Sequence, residues 1–441
     1  MGFVKTIENI WKIEDLRKRL LITFFFVVIY RFGVHVILPG VDPGQLEDLQ
    51  AKAAGGLLGI IDMFSGGAFS NASIFALGIM PYISASIVIQ LLGIALPYFQ
   101  KLQREGESGR TKMNQYTRYL TIVILLVQGP AYLVGAVGDA APGATFFSFY
   151  LPSAIILAGG SMFVLWLGER ITDKGIGNGI SFIILVGIIA RLPHALIGEF
   201  VARLGSQAGG LVMFLVEILF LLLVICGAIL LVQGTRRIPV QYAKRVVGNK
   251  QYGGARQYIP LKVNAANVMP IIFAQAIMFI PISIAGFSTD GGGSFLQAFT
   301  DHTTVWYNLV FALLIIVFTW FYTAVTINPV QMADELKRNN GFIPGIKPGK
   351  KTAEYIDNVM SRITLPGSLF LALVAILPAF ASYFGISREF AQFFGGTSLL
   401  ILVGVVLDTL QQIESHLLMR HYDGLLKSGR IKGRSGSIAA Y

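Results

Sequence analysis

Two glycine-rich stretches and a few ionisable residues are the places where this 441-residue chain could do chemistry. Residues 345–352, GIKPGKKT, resemble the loop that cradles nucleotide phosphates on backbone N–H groups. The pattern fails at both ends. Pro344 stands at the first glycine position, and Lys351 stands where a Ser or Thr hydroxyl should hold magnesium. No strand is expected before it. Gly175-Ile176-Gly177-Asn178-Gly179 looks like half a dinucleotide loop, yet it joins two apolar helical stretches, so a tight turn at a helix end is expected. The five histidines are scattered and no Cys/His spacing suits zinc. Cys226 is the single cysteine and reads as a small packing residue. Glu217 and Asp408 are the ionisable residues most clearly inside apolar blocks, where a carboxylate is a functional candidate by default, for instance as a proton relay. Asp408 lies near the end of its block, and a structural hydrogen bond is expected there; Glu217 has no partner legible in the sequence. With no nucleotide site, no metal and no cofactor expected, energy for any transport must come from a partner or an ion gradient.

The elements that would position these residues are membrane spans. Apolar residues make up 54% of the chain and charged ones only 13%, against about a quarter in soluble domains, and mean hydropathy is +0.66. The apolar residues gather in ten blocks, most of roughly 18 to 23 residues, enough to cross a hydrocarbon core of about 30 Å. The blocks are 20–38, 74–96, 119–137, 149–166, 180–197, 211–231, 268–286, 306–325, 365–384 and 394–407. An even number puts both termini on one side of the membrane. Of the 35 lysines and arginines, all but Arg31, Lys52, Arg191, Arg203 and Arg388 fall on that side, so both termini and the long basic loops are expected to be cytoplasmic. The net charge of +11 thus reports topology before it reports nucleic acid.

The first block follows Arg17-Lys18-Arg19 like a signal peptide, but it is nearly 20 residues long and no small-residue cleavage site follows, so a retained span is expected. Before it, Phe3, Ile7, Trp11 and Leu16 recur at helical spacing, as in a helix lying in the membrane interface or an ordinary amphipathic leader. Residues 55–67 are apolar but too short to cross. Such a piece is either re-entrant beside a cavity, plugging it, or a loop packed on the outer face. Pro81, Pro130, Pro193, Pro270, Pro281 and Pro378 interrupt the blocks and, with Ser84, Ser86, Gln90 and Gln275, point to helices that meet water or move. The loop 236–262 interleaves seven basic residues with Tyr242, Tyr252 and Tyr258, which suits either docking to ribosomal RNA or an acidic protein surface, or contact with anionic lipid.

Residues 73–92 (SIFALGIMPYISASIVIQLL), 105–110 (EGESGR), 166–181 (WLGERITDKGIGNGIS), 328–349 (NPVQMADELKRNNGFIPGIKPG) and 394–401 (FGGTSLLI) together resemble the SecY family, the central subunits of the Sec translocon, in order along nearly the whole chain. The resemblance implies an all-α polytopic membrane protein. Two pseudo-symmetric five-helix halves, 1–205 and 206–441, would enclose an hourglass pore. It implies a constricting ring at Ile79, Ile83, Ile180, Ile184, Ile272 and Ile401, which would block ions by dewetting yet yield around an extended chain. The short apolar piece becomes a plug through Leu57, Leu58, Ile60, Ile61, Met63 and Phe64. A lateral gate falls between the second and seventh spans, with Gln90, Asn264 and Gln275 as its polar residues. The cytoplasmic loops 234–264 and 328–362 would receive the ribosome or the motor ATPase SecA through Arg236, Arg237, Lys244, Arg245, Lys250, Arg256, Lys347 and Lys350. Lys347 and Asn249-Lys250 depart from the arginines common in relatives, and lysine lacks arginine's bidentate fork.

The function so implied is a passive, gated conduit for unfolded secretory and membrane polypeptides in the inner membrane. It would be partnered by the small subunits SecE and SecG, and it would not be an enzyme. Two rivals stand beside it: an inverted-repeat secondary transporter using Glu217 and Asp408 as coupling groups, and a paralogous insertase or accessory translocon of narrower substrate range.

Overall fold

The computed structural model describes Trp11 and residues 13–46, 56–137, 145–205, 210–242, 245–247, 250–252, 256–266, 268–275, 277–278 and 304–427. The leader residues Phe3 and Ile7, together with Lys244, Asn249 and Pro281, lie outside the described residues.

The chain is overwhelmingly helical. Helix α1 (Glu14–Val34) opens on the basic cluster, where Lys18 and Arg19 pair with Glu14 and Asp15 one turn back. It buries Tyr30 and Val34 while leaving Phe24, Phe25, Val28 and Phe32 exposed. A stripe of bare aromatic and aliphatic side chains on a helix is what hydrocarbon surroundings permit and water does not. Helix α2 (Gly56–Ser65) has ten residues, about 15 Å long and half a bilayer core. Helix α3 (Met80–Ala95) breaks at Leu96, before Pro97, and turns by 101° into the short amphipathic α4 (Pro97–Arg104).

Long helices follow: α5 (Glu107–Tyr132), α6 (Leu151–Lys174), α7 (Gly179–Gly205) and α8 (Gly210–Gln233). Then come α9 (Val305–Thr326), the short α10 (Pro329–Arg338), α11 (Lys350–Tyr383), the single turn α12 (Arg388–Ala391) and α13 (Gly396–Lys427). Ten spans are expected from composition. Among the described residues, seven helices are both long and apolar enough to cross, or eight when the bent α3–α4 pair counts as one. The first block coincides with α1, and the seventh is described only as far as Met278.

Helix α7 is the hub, packing against α2, α6, α8, α12 and α13. Its buried Ile183, Ile184 and Ile188 join Tyr30 and Val34 of α1, Val164 and Leu167 of α6 and Phe390–Phe394 in one apolar cluster. A second cluster joins the segment that precedes α3 to α5 and α6 through Leu77, Leu125 and Leu157; a third joins α8, α9, α11 and α13.

The basic loops hold strands that the all-helical expectation omits. Strands β1 (Thr235–Tyr242) and β4 (Arg256–Lys262) pair antiparallel, and β5 (Gly341–Phe342) adds to the other edge of β1, in the order β4-β1-β5. Strands β2 (Arg245–Val247) and β3 (Lys250–Tyr252) pair antiparallel as a separate two-stranded sheet. Ile238, Val240 and Leu261 on the sheet pack with Leu336 of α10, Ile343, and Ile356 and Met360 of α11. The two loops therefore share one small core. Contrary to expectation a strand, β5, does precede GIKPGKKT, but Pro344 and Lys351 still break the phosphate-loop pattern.

Candidate functional site: an isoleucine cluster against a short apolar helix

Three helices bring five of the six predicted ring residues together. Ile79 caps α3 at its start and Ile83 follows one turn on, so both lie on one face of that helix. Ile180 and Ile184 repeat this spacing at the start of α7, and Ile401 sits in the second turn of α13. Ile79, Ile184 and Ile401 are all buried in the α7 cluster, with Ile83 and Ile180 half-buried against it. Ile272 is half-buried on the helical residues 269–275 and does not belong to that cluster. The same cluster contains Met63 and Phe64 of α2. The side chains of Leu57, Leu58, Ile60 and Ile61 lie outside the described set, although their backbone is helical.

The GIGNG turn positions this face of α7. Gly177 has φ +80 and its N–H donates to Gln412 Oε1 of α13 at 2.8 Å, while Asn178 Oδ1 accepts from Ile180 and caps α7 at 3.1 Å. Thr23 of α1 accepts from Ile176 N–H at 3.2 Å. Three helices thus fix one turn, and that turn sets where Ile180 and Ile184 point. The expected tight turn is observed.

Helix α2 also borders a cavity of about 340 Å³ lined by Arg31, His35, Asp62, Arg191, His194 and Glu389 among others. A smaller cavity of about 80 Å³ touches Met63 and Gln275. Of the predicted gate residues, Gln90 on α3 accepts a hydrogen bond from Tyr322 OH of α9 at 3.3 Å and donates to Ser86 at 3.4 Å. Gln275 lines the smaller cavity instead, and Asn264 is buried beyond the end of β4. Tyr322 carries no motif that marks it; only the fold shows that the eighth apolar block faces Gln90.

The two carboxylate candidates part company. Glu217 finds a partner that the sequence did not name: Arg203 Nη2 lies 2.6 Å from its carboxylate, and Arg203 Nε pairs with Glu199 at 2.8 Å. Asp408, expected to make a structural hydrogen bond, is exposed at the end of its apolar block.

Of the docking residues, Arg236 and Arg237 are exposed on β1, and Lys347 and Lys350 are exposed on the 345–350 turn and the first residue of α11. The shared sheet places both pairs on one lobe. The side chains of Arg245, Lys250 and Arg256 lie outside the described set.

Comparison with known proteins agrees with this geometry. The sequence profile of the SecY family matches residues 73–410. The chain is similar to the protein translocase subunit SecY of Streptomyces galbus, 43% identical over 95% of this chain and 98% of that one. It is similar to the subunit of the same name from Mycobacterium bovis at 42% identity, over 97% and 99% of the two chains. Among solved structures, one described as "The structure of a protein conducting channel" superposes with a TM-score of 0.60 over 96% of this chain and 95% of that one, at 18% identity. A Sec61 chain from a canine ribosome–channel complex gives 0.57 at 16%, over 96% and 95%.

Proposed function

The chain belongs to the SecY family of protein translocase subunits, and from that premise we propose that it is a gated conduit for unfolded polypeptides. Secretory chains cross it, and signal or membrane segments leave it sideways into lipid. The observation that carries this reading is the convergence of Ile79, Ile184 and Ile401, from three helices, on Met63 and Phe64 of a half-length helix. A dry collar closed by a short apolar plug stops ions without any charged gate, and aliphatic side chains repack around an extended strand at small cost.

Release into lipid needs a seam between helices. The Gln90–Tyr322 hydrogen bond ties the second span, α3, to the eighth, α9, rather than to the seventh that the resemblance names, and it supports a seam that includes α9. Burying a hydrophobic signal gains roughly 0.8 kcal/mol per CH₂, against a net 0.5–1.5 kcal/mol or so for one such bond. Tyr322→Phe is therefore expected to let marginally hydrophobic signal sequences export about two- to tenfold faster. Graded-hydrophobicity reporters would measure this, and an unchanged threshold would remove the bond from the gate.

The lobe carrying Arg236, Arg237, Lys347 and Lys350 is assigned to docking, with the ribosome or SecA as partner. SecE and SecG would cover bare helix faces within the membrane. The chain itself performs no chemistry in this reading, and the partner supplies the energy. Its many lipid-facing helices make it a multi-pass membrane protein, assigned to the inner membrane with both termini cytoplasmic.

The direct test is to crosslink a stalled secretory chain to single cysteines placed at Ile83 and Ile272 in a Cys226→Ala background. Adducts at both positions, and none at lipid-exposed Leu222, are expected. Adducts only at Leu222 would overturn a central polypeptide path.

A further inference from the structure

We propose that Arg191 is the residue that holds the plug shut, through an ionic latch to Asp62. Neither residue belongs to the collar, and the inference rests on the channel reading above. Asp62 lies in the last turns of α2 and is buried, and its carboxylate forms an ion pair with Arg191 Nη2 from α7. The other carboxylate oxygen accepts from Ser70 N–H at 2.8 Å, and Ser70 Oγ in turn accepts from Arg191 Nη2 at 2.8 Å. One guanidinium thus grips both ends of the turn that follows the plug.

The backbone is shaped to let it. Gly66 has φ +66, and a Cβ there would lie 2.8 Å from Gly187 Cα; a Cβ on Gly187 would lie 2.8 Å from Phe64 O. Gly67, φ +93, leaves room for the Arg191 guanidinium, which a Cβ would meet at 3.3 Å. Gly187 and Arg191 are one helical turn apart, so a glycine notch and a cation on the same face of α7 receive the end of the plug. From the other side α1 contributes Tyr30 OH to Ser65 O at 3.0 Å and Arg31 Nη1 to Gly66 O at 2.9 Å. Those two bonds go to backbone carbonyls, and any sequence could supply them. The Asp62–Arg191 pair is the side-chain-specific one. Arg191 remains 30% exposed to the outer cavity, which lowers the desolvation penalty and leaves the pair able to open.

The latch predicts a resting phenotype. A charge-assisted bond of this kind contributes about 1.5–3 kcal/mol, so losing it raises the open-plug population about tenfold or more. In full translocase reconstituted into planar bilayers, Asp62→Asn and Arg191→Gln are each expected to raise resting ion conductance by about that factor. The double variant should leak no more than the worse single, because both remove the same interaction. Arg191→Lys, which keeps the charge without the fork, should fall between. Asp62→Asn keeps an acceptor for Ser70 and so preserves the local fold. In that background, with Cys226 replaced by Ala, a cysteine at Met63 should react faster with an impermeant thiol reagent added from the cavity side.

Parental conductance and parental labelling in both single variants would overturn the latch. If a collar variant leaks in the same preparation while these do not, the latch alone fails. If none leaks, the apolar seal fails with it.

Discussion

Serine at Ile79, Ile184 and Ile401 together is expected to raise the resting conductance of the reconstituted channel at least about tenfold. These three are the buried members of the proposed collar, one from each of three helices, so the triple change would wet the proposed constriction from three sides. Each replacement removes about 1.5–3 kcal/mol of apolar burial and adds a hydroxyl that can hold water. A short hydrophobic constriction excludes ions only while it stays dry, and a few hydroxyls around its circumference abolish the dewetting. Single replacements should do far less, because the remaining side chains still close the ring. Single-channel recording with the plug in place is the appropriate measurement. An ion-tight triple variant would mean that something other than these side chains forms the seal. A leak as large from serine at lipid-exposed Leu219, Leu222 and Leu223 would mean that the effect is general loosening.

How much of this was legible in the sequence differs from element to element, for physical reasons. Helices α5 to α8 could be marked from composition because lipid demands long uncharged runs, and such runs admit no other structure. The collar could not be so marked. Isoleucine is common throughout such blocks, and only the family motifs single out Ile79 and Ile184 from Ile183 and Ile188, which are as deeply buried. The sheet was missed although Ile238 and Val240, two residues apart, share one buried face. Pro239 and Pro260 argue against strands, and here they are tolerated within the β1–β4 register, opposite Tyr258 and Arg237. Arg191 counts in the sequence only as one of five basic residues on the sparsely basic side. Its partners lie far off in the chain, Ser70 by 121 positions, and no local spacing could join them. Glu217 was visible as an anomaly, and its answer, Arg203, lay near the end of the preceding helix, α7.

That answer yields the second prediction with a large expected effect. Arg203→Ala is expected to destabilise the protein by about 3–5 kcal/mol, much of the stability of an ordinary domain. Glu199 and Glu217 are both buried and both paired to this one guanidinium, at 2.8 and 2.6 Å. Glu199 also accepts from Ser387 N–H at 2.9 Å, and Arg203 donates to Gly385 O at 2.9 Å, so the network ties α7 and α8 to the loop before α12. Removing the cation leaves two buried carboxylates facing each other with no compensation. Glu217→Gln has the opposite logic. It removes the second negative charge and leaves a neutral Arg203–Glu199 pair, so it should shift stability by less than about 1 kcal/mol and leave translocation at parental rates. Thermal unfolding in detergent, read beside a translocation assay, separates the two variants. The same pair of measurements tests the transporter alternative, in which Glu217 is a coupling group. A Glu217→Gln protein that is stable and fully folded but inactive would make the carboxylate a working part rather than a structural one.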